Sequence, residues 1–93
     1  MHVFSAQFLF RLPSRTLKEK RGIIKSILAR ARNNFNVAAA EVDHQDLPGS
    51  AILAFVTVSE GGLQGRRTLE QLEEKIFEER PEIEIVAVEI EER

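Results

Sequence analysis

The stretch "EVDHQD", Glu41 to Asp46, sets three acids and one of the chain's two histidines within six positions. Those residue types can ligate a metal or move protons. Their spacing works against both. On an extended strand Glu41 and Asp43 point to one face, and Val42 and His44 to the other. Zinc wants three or four converging ligands. A hard cation wants about six oxygens. Only Asp46, in the following turn, can swing toward either group, so no metal is expected. Asp43, His44, Gln45 and Asp46 instead form a polar hairpin corner. There the aspartates can bond nearby backbone N–H groups. A positioned polar loop of this kind is also a common binding surface.

A second candidate is "EGGLQGRR". Gly62 and Gly65 precede Arg66 and Arg67 at the expected start of a helix. Free N–H groups and two guanidinium groups could hold an anion there. "GLQG" matches the GxxG loop of KH domains, but that loop joins two helices and this one follows a strand. It also echoes the phosphate loop of acylphosphatases, which follows a first strand. Here the first strand is followed by "PSRTL".

The third candidate is electrostatic. Residues 1–35 carry eight Lys/Arg against one acid, for +7. Residues 36–59 carry three acids and no Lys/Arg, for −3. Residues 60–93 carry five Lys/Arg and eleven acids, for −6. Within the basic third, Lys18, Arg21, Lys25 and Arg32 fall in a stripe ~60° wide at 100° per residue. Beside it run the small residues Gly22, Ser26, Ala29 and Asn33. A cationic ridge along a shallow groove suits an RNA backbone, where phosphate and shape contacts dominate. A solvated face, salt-bridged to the second helix through Glu73, Glu74 or Glu78, is the competing reading.

Catalysis draws little support. There is no Cys or Tyr. Ser14, Ser26, Ser50 and Ser59 show no histidine partner in sequence. A non-enzymatic protein without a cofactor is expected.

The elements that position these residues follow from periodicity. "HVFSAQFLFRL" alternates, with Phe4, Ala6, Phe8, Phe10 and Leu12 on one face, which is a strand. Thr16 and Glu19 form a capping box. Leu17, Ile24, Leu28, Ala31 and Phe35 then recur at helical spacing, predicting a helix from about Leu17 to Asn33. "NVAAAEVDH" is a second strand, with Ala38, Ala40 and Val42 on one face. "QDLPG" is a turn. "SAILAFVTVS" is a third strand, with Ile52, Ala54, Val56 and Val58 sharing one face. "EGGLQG" reads as a loop. "RRTLEQLEEKIFEER" is a second helix, which Pro81 stops. "EIEIVAVEIEE" is a fourth strand, with Val86, Val88 and Ile90 toward the core.

The order β-α-β-β-α-β predicts one ferredoxin-like α+β domain over residues 1–93. It has a four-stranded antiparallel sheet in the order 4-1-3-2 and both helices on one face. The uncovered face is expected to carry Val3, Leu9, Leu53, Phe55, Ile85 and Ala87, with Gln7, Arg11, Glu41 and Glu89 among them. Phe55 would be its only aromatic, too few for RRM-type base stacking. The apolar side chains predict a homodimer through the open face or an edge strand. No apolar run reaches the ~20 residues of a membrane helix. The first ten residues alternate instead of forming a signal peptide. A cytoplasmic protein without membrane partners is expected.

"LKEKR" opening the first helix, "FNV" entering the second strand and "AEVDHQD" before the hairpin together resemble the YlxP-like family. These are small bacterial proteins of unknown function. The resemblance spans nearly the whole chain and implies a ferredoxin-like fold. The family's genes often lie near those of translation factors and a ribosome-binding factor, which implies an RNA or ribosome setting. It has no established catalytic residues to carry over. The Gly-rich approach to the second helix departs from the family's usual sequence. The resulting expectation is an RNA- or ribosome-associated binding protein acting through the first helix. The alternative is a small-molecule or anion-binding regulatory domain at the Gly-rich loop or a dimer seam.

Overall fold

A computed structural model describes all residues from Met1 to Arg93. Strand β1 is His2–Arg11, helix α1 Leu17–Asn34, and strands β2 and β3 are Ala38–Asp43 and Ser50–Ser59. Helix α2 is Gly62–Glu79 and strand β4 Glu84–Glu92. The sheet runs β2-β3-β1-β4 with every neighbouring pair antiparallel. This is the expected ferredoxin-like arrangement.

One face of β1 fixes the core. Phe4, Ala6, Phe8 and Phe10 are all buried, and both helices send apolar residues onto them: Ile24, Ile27 and Ala31 from α1, Leu69, Leu72 and Ile76 from α2. Phe8 meets Phe55 edge-on at 5.2 Å between ring centroids and Phe10 at 5.7 Å. Such geometry adds to area burial, and removing a ring of this kind costs about 3–5 kcal/mol.

The register corrects the face assignments of β3. Phe8 pairs with Leu53 and Ala6 with Phe55, so Leu53 and Phe55 lie on the helix side and are fully buried. Both faces of β3 are apolar, so alternation gave the phase of the strand but not its side. Ile52, Ala54, Val56 and Val58 line the open face.

The two edge strands each carry a bulge, and the one in β4 displaces an expected core residue. In β4 the pairing passes from Leu9↔Ala87 to Phe10↔Ile85, leaving Val86 extra and 42% exposed. Ile85 therefore joins Val88 and Ile90 against the core, where Val86 was expected. In β2 the pairing passes from Glu41↔Leu53 to Asp43↔Ile52, leaving Val42 extra. Ahead of that bulge Ala39 pairs with Phe55 and Glu41 with Leu53, so Glu41 lies on the helix side, not the open face, and Ala38 and Ala40 take the open face instead. Bulges on edge strands are a recognised means of ending pairing and re-aiming side chains.

Helix α1 begins with the expected cap: Thr16 Oγ1 accepts from the Glu19 N–H at 3.1 Å. The Thr16 hydroxyl also donates to Glu19 Oε1, so the second half of the box closes side chain to side chain. Helix α2 starts at Gly62, four residues earlier than expected. Most of "EGGLQG" is helix because Gly65 packs on β1: a Cβ there would lie 2.5 Å from Phe4 Cδ2. Glycine permits the close approach that seats the first turn.

Candidate nucleic-acid interface

The capping box and the apolar phase of α1 orient the cationic ridge. Ile24, Ile27 and Ala31 face the sheet, which leaves Lys18, Arg21, Lys25 and Arg32 exposed together on the flank nearest β2. Arg32 marks that flank, because its Nη2 donates to the Ala39 carbonyl on the outer edge of β2 at 2.6 Å. Lys18, Arg21 and Lys25 have no carboxylate within ion-pair distance. The cations of this third that do pair lie elsewhere. Arg11 meets Glu84, Lys20 meets Glu41, and Arg30 meets Glu79. The competing reading, bridges from the stripe to Glu73, Glu74 or Glu78, is not realised. Of the neighbouring small residues, Gly22, Ala29 and Asn33 are exposed. Ser26 turns toward α2 and accepts from Arg80 Nη2 at 2.7 Å.

The hairpin corner lies past the outer end of β2 and is tied to α1. Lys20 is 2% exposed, and its ammonium donates to the His44 carbonyl at 2.5 Å. The same nitrogen lies 2.9 Å from Glu41 Oε2. That oxygen is fully buried with no other partner, and the contact is an ion pair whose angle falls short of a good hydrogen bond. His44 adopts φ 62°, a left-handed conformation uncommon outside glycine. Its N–H donates to Asp43 Oδ1 at 2.7 Å, which stabilises the reversal. Gln45 Nε2 makes a long 3.5 Å contact to the Glu41 carbonyl, and Asp46 is exposed in the turn. No three of the chain's His, Asp or Glu side chains are grouped to hold a metal.

One serine does have a histidine partner, contrary to the expectation from sequence: His44 Nδ1 and Ser50 Oγ are hydrogen-bonded at 2.8 Å. The bulge and the left-handed turn bring them together across the hairpin. Asp43 spends its bond on the backbone rather than on the imidazole, so the pair lacks the orienting carboxylate of a nucleophile–base–acid relay. The geometry makes it a clasp across the turn.

Lys20 and Glu41 escaped notice in the sequence as partners. The signal was present for Lys20. It stands four and seven residues before Ile24 and Ile27, in the buried phase of the helix. Glu41 gave none, because its side is set by the pairing of β2 with β3.

At the start of α2 the four anion-site candidates take different positions. Gly62 opens the helix beside the His2 ring, and Gly65 is buried against Phe4. The Arg66 guanidinium carbon lies 5.7 Å from the centre of the Phe4 ring, a cation–π contact. Arg67 is exposed. Packing accounts for two of the four, Gly65 and Arg66, and the structure does not converge the set on one point.

The open face of the sheet carries Val3, Leu9, Ile52, Ala54, Val56 and Val58, with Ala87 and Glu89 from β4. Val56 and Val58 are 38% and 51% exposed. It displays no aromatic ring, since Phe55 is in the core. Between the helices, Arg30 bonds Glu79 at 2.5 Å. That bond, assisted by Lys75, holds the Glu79 carboxyl below its ordinary value of 4.5.

Residues 3–90 match the family described as "Protein of unknown function (DUF503)". A curated relative, "Uncharacterized protein YlxP" from Bacillus subtilis (strain 168), is 36% identical over 57 residues. That stretch covers 61% of this chain and 62% of the relative, less than two thirds of its length.

Proposed function

The chain belongs to the DUF503 family, and from that premise we propose that it is a non-enzymatic, homodimeric RNA-binding protein of the translation apparatus. It grips an RNA backbone along α1. The single observation that carries this reading is the row Lys18, Arg21 and Lys25: exposed, coaligned and unpaired, in a protein whose other N-terminal helix cations are bonded within the fold. Unpaired cations on a rigid helix attract phosphates without first breaking an internal salt bridge. The exposed Gly22 and Ala29 beside them let a backbone approach closely. With no aromatic on the open face, contacts to phosphate and sugar dominate and sequence preference is weak.

The open face supplies the dimer. Burying Val56, Val58 and their aliphatic neighbours against a second copy removes apolar surface from water, and leaves both α1 ridges outward. The edge of β2 is less suited, because Arg32 already occupies the Ala39 carbonyl.

The test is a salt titration of binding to purified ribosomal subunits and to their extracted RNA. With three to five phosphates neutralised, log K should fall against log salt with a slope of about −2 to −4. A flat salt response rules the reading out.

A further inference from the structure

We infer that the opposite margin of the molecule, the groove between α2 and the free edge of β4, docks an extended, lysine- or arginine-rich segment of a partner protein as a fifth strand. The groove measures about 1060 Å³ and runs alongside Ile83 to Val88. Strand β4 ends the sheet, so its outer N–H and C=O groups are available to a new strand. No side chain is hydrogen-bonded across that edge in the way Arg32 covers β2.

Three further features select the occupant. The helix wall is acidic: Glu70, Glu73, Glu74 and Glu78 line the groove from α2 without a cationic partner. Side chains of an added strand alternate between the helix side and the open side, so cations at every second position would face the α2 carboxylates. Phe77, on the groove wall, is 68% exposed, and the bulge throws Val86 outward at 42%. They offer an apolar anchor within the acidic surround.

The charges of α2 also oppose its own dipole. Its first turn has no acid and its last no base, while Arg66 and Arg67 lie near the positive end and Glu78 and Glu79 at the negative end. Glu70, Glu74 and Glu78 repeat at i, i+4, where like charges repel. Helix stability does not favour this arrangement, whereas a cationic ligand lying along the helix would. Adding a strand to a free edge beside a helix is a known mode of peptide recognition, with the main chain giving affinity and flanking side chains giving specificity. The inference is independent of RNA binding, which uses the other margin.

The test uses a blocked peptide of alternating Lys and Val, about ten residues long to match an ordinary strand, titrated into the ¹⁵N-labelled full chain. Expected are shift changes confined to β4 and the groove face of α2, and slowed exchange of outward β4 amides. A peptide of equal charge, N-methylated at every second residue, cannot complete the ladder and should bind about tenfold more weakly, the equivalent of one order in Kd. Glu74→Lys with Glu78→Lys should weaken binding similarly, with an unchanged circular dichroism spectrum. Phe77→Ser, which leaves the charges alone, should weaken it several-fold. Equal binding of the two peptides, shifts mapping to the open sheet face, or no binding at millimolar peptide would overturn the inference. So would concentration-dependent shifts at β4 without peptide, which would mean that a second copy fills the groove.

Discussion

The Lys20 ammonium lies 2.9 Å from Glu41 Oε2, in a helix-to-strand ion pair that sequence periodicity alone does not reveal. The lysine is almost wholly enclosed, and its second bond holds the His44 carbonyl at the left-handed turn. The pair thereby fixes the outer end of β2 beneath the first turns of α1, where the cationic ridge begins.

Removing one member strands the other in a low-dielectric setting, and removing both does not. Lys20→Met should therefore destabilise the fold by about 2–4 kcal/mol. Lys20→Met with Glu41→Leu should recover most of the loss. Urea unfolding of the two single variants and the double variant measures the coupling. Additive losses would show that the pair contributes little as a pair.

Two glycines should respond in opposite directions. Gly65→Ala forces a methyl against the Phe4 ring and should cost about 1–3 kcal/mol by overpacking. Gly22→Ala meets nothing within 4 Å on an exposed helical face, and should stabilise by about 0.5–1 kcal/mol through helix propensity. Thermal unfolding distinguishes the two. A stable Gly65→Ala variant would contradict the close seating of α2 on β1.

The Glu79 carboxyl is held below its ordinary 4.5, first by its hydrogen bond from Arg30. A folded-state value below the unfolded one gives stability that is present above the unfolded value and is lost as pH falls through the folded value. Arg30→Gln should therefore lower Tm at neutral pH. The gap to the wild type should close below pH 4.5. A gap that stays constant to strong acid would mean that Arg30 acts through packing instead.

The open sheet face makes a separate prediction. Val56→Lys places a charge at its centre, where Val56 is flanked by Ser5 and Ala38 on the adjacent strands. Sedimentation equilibrium should show a dimer for the wild type and a monomer for the variant. A wild-type monomer at high micromolar concentration would refute the face-to-face dimer.

The order of elements, the capping box and the core face of β1 were legible in the sequence. Each rests on local chemistry: Thr16 three residues before Glu19, or a strict alternation of phenylalanines. The failures have a common physical origin. Alternation assumes an unbroken register, and the bulge at Val86 breaks it, which turned Ile85 toward the core; Glu41 faces inward because β2 pairs with β3 so that Glu41 meets Leu53. Strand β3 is apolar on both sides, so only pairing with β1 shows that Leu53 and Phe55 face inward. Gly61 to Gly65 look like a loop until Phe4 is seen to require a residue without a side chain at Gly65. The cationic stripe was legible because it needs only the helical period. Its freedom from ion pairs was not, because that depends on where the glutamates of α2 point.

The most direct measurement of the central claim is charge reversal on the ridge. Lys18→Glu, Arg21→Glu and Lys25→Glu together should leave the circular dichroism spectrum intact, since all three are exposed and unpaired. They should weaken binding to ribosomal RNA by about 100-fold or more at low salt, and flatten the salt dependence by about 2 in slope. A folded triple variant that binds with wild-type affinity and slope would contradict the account.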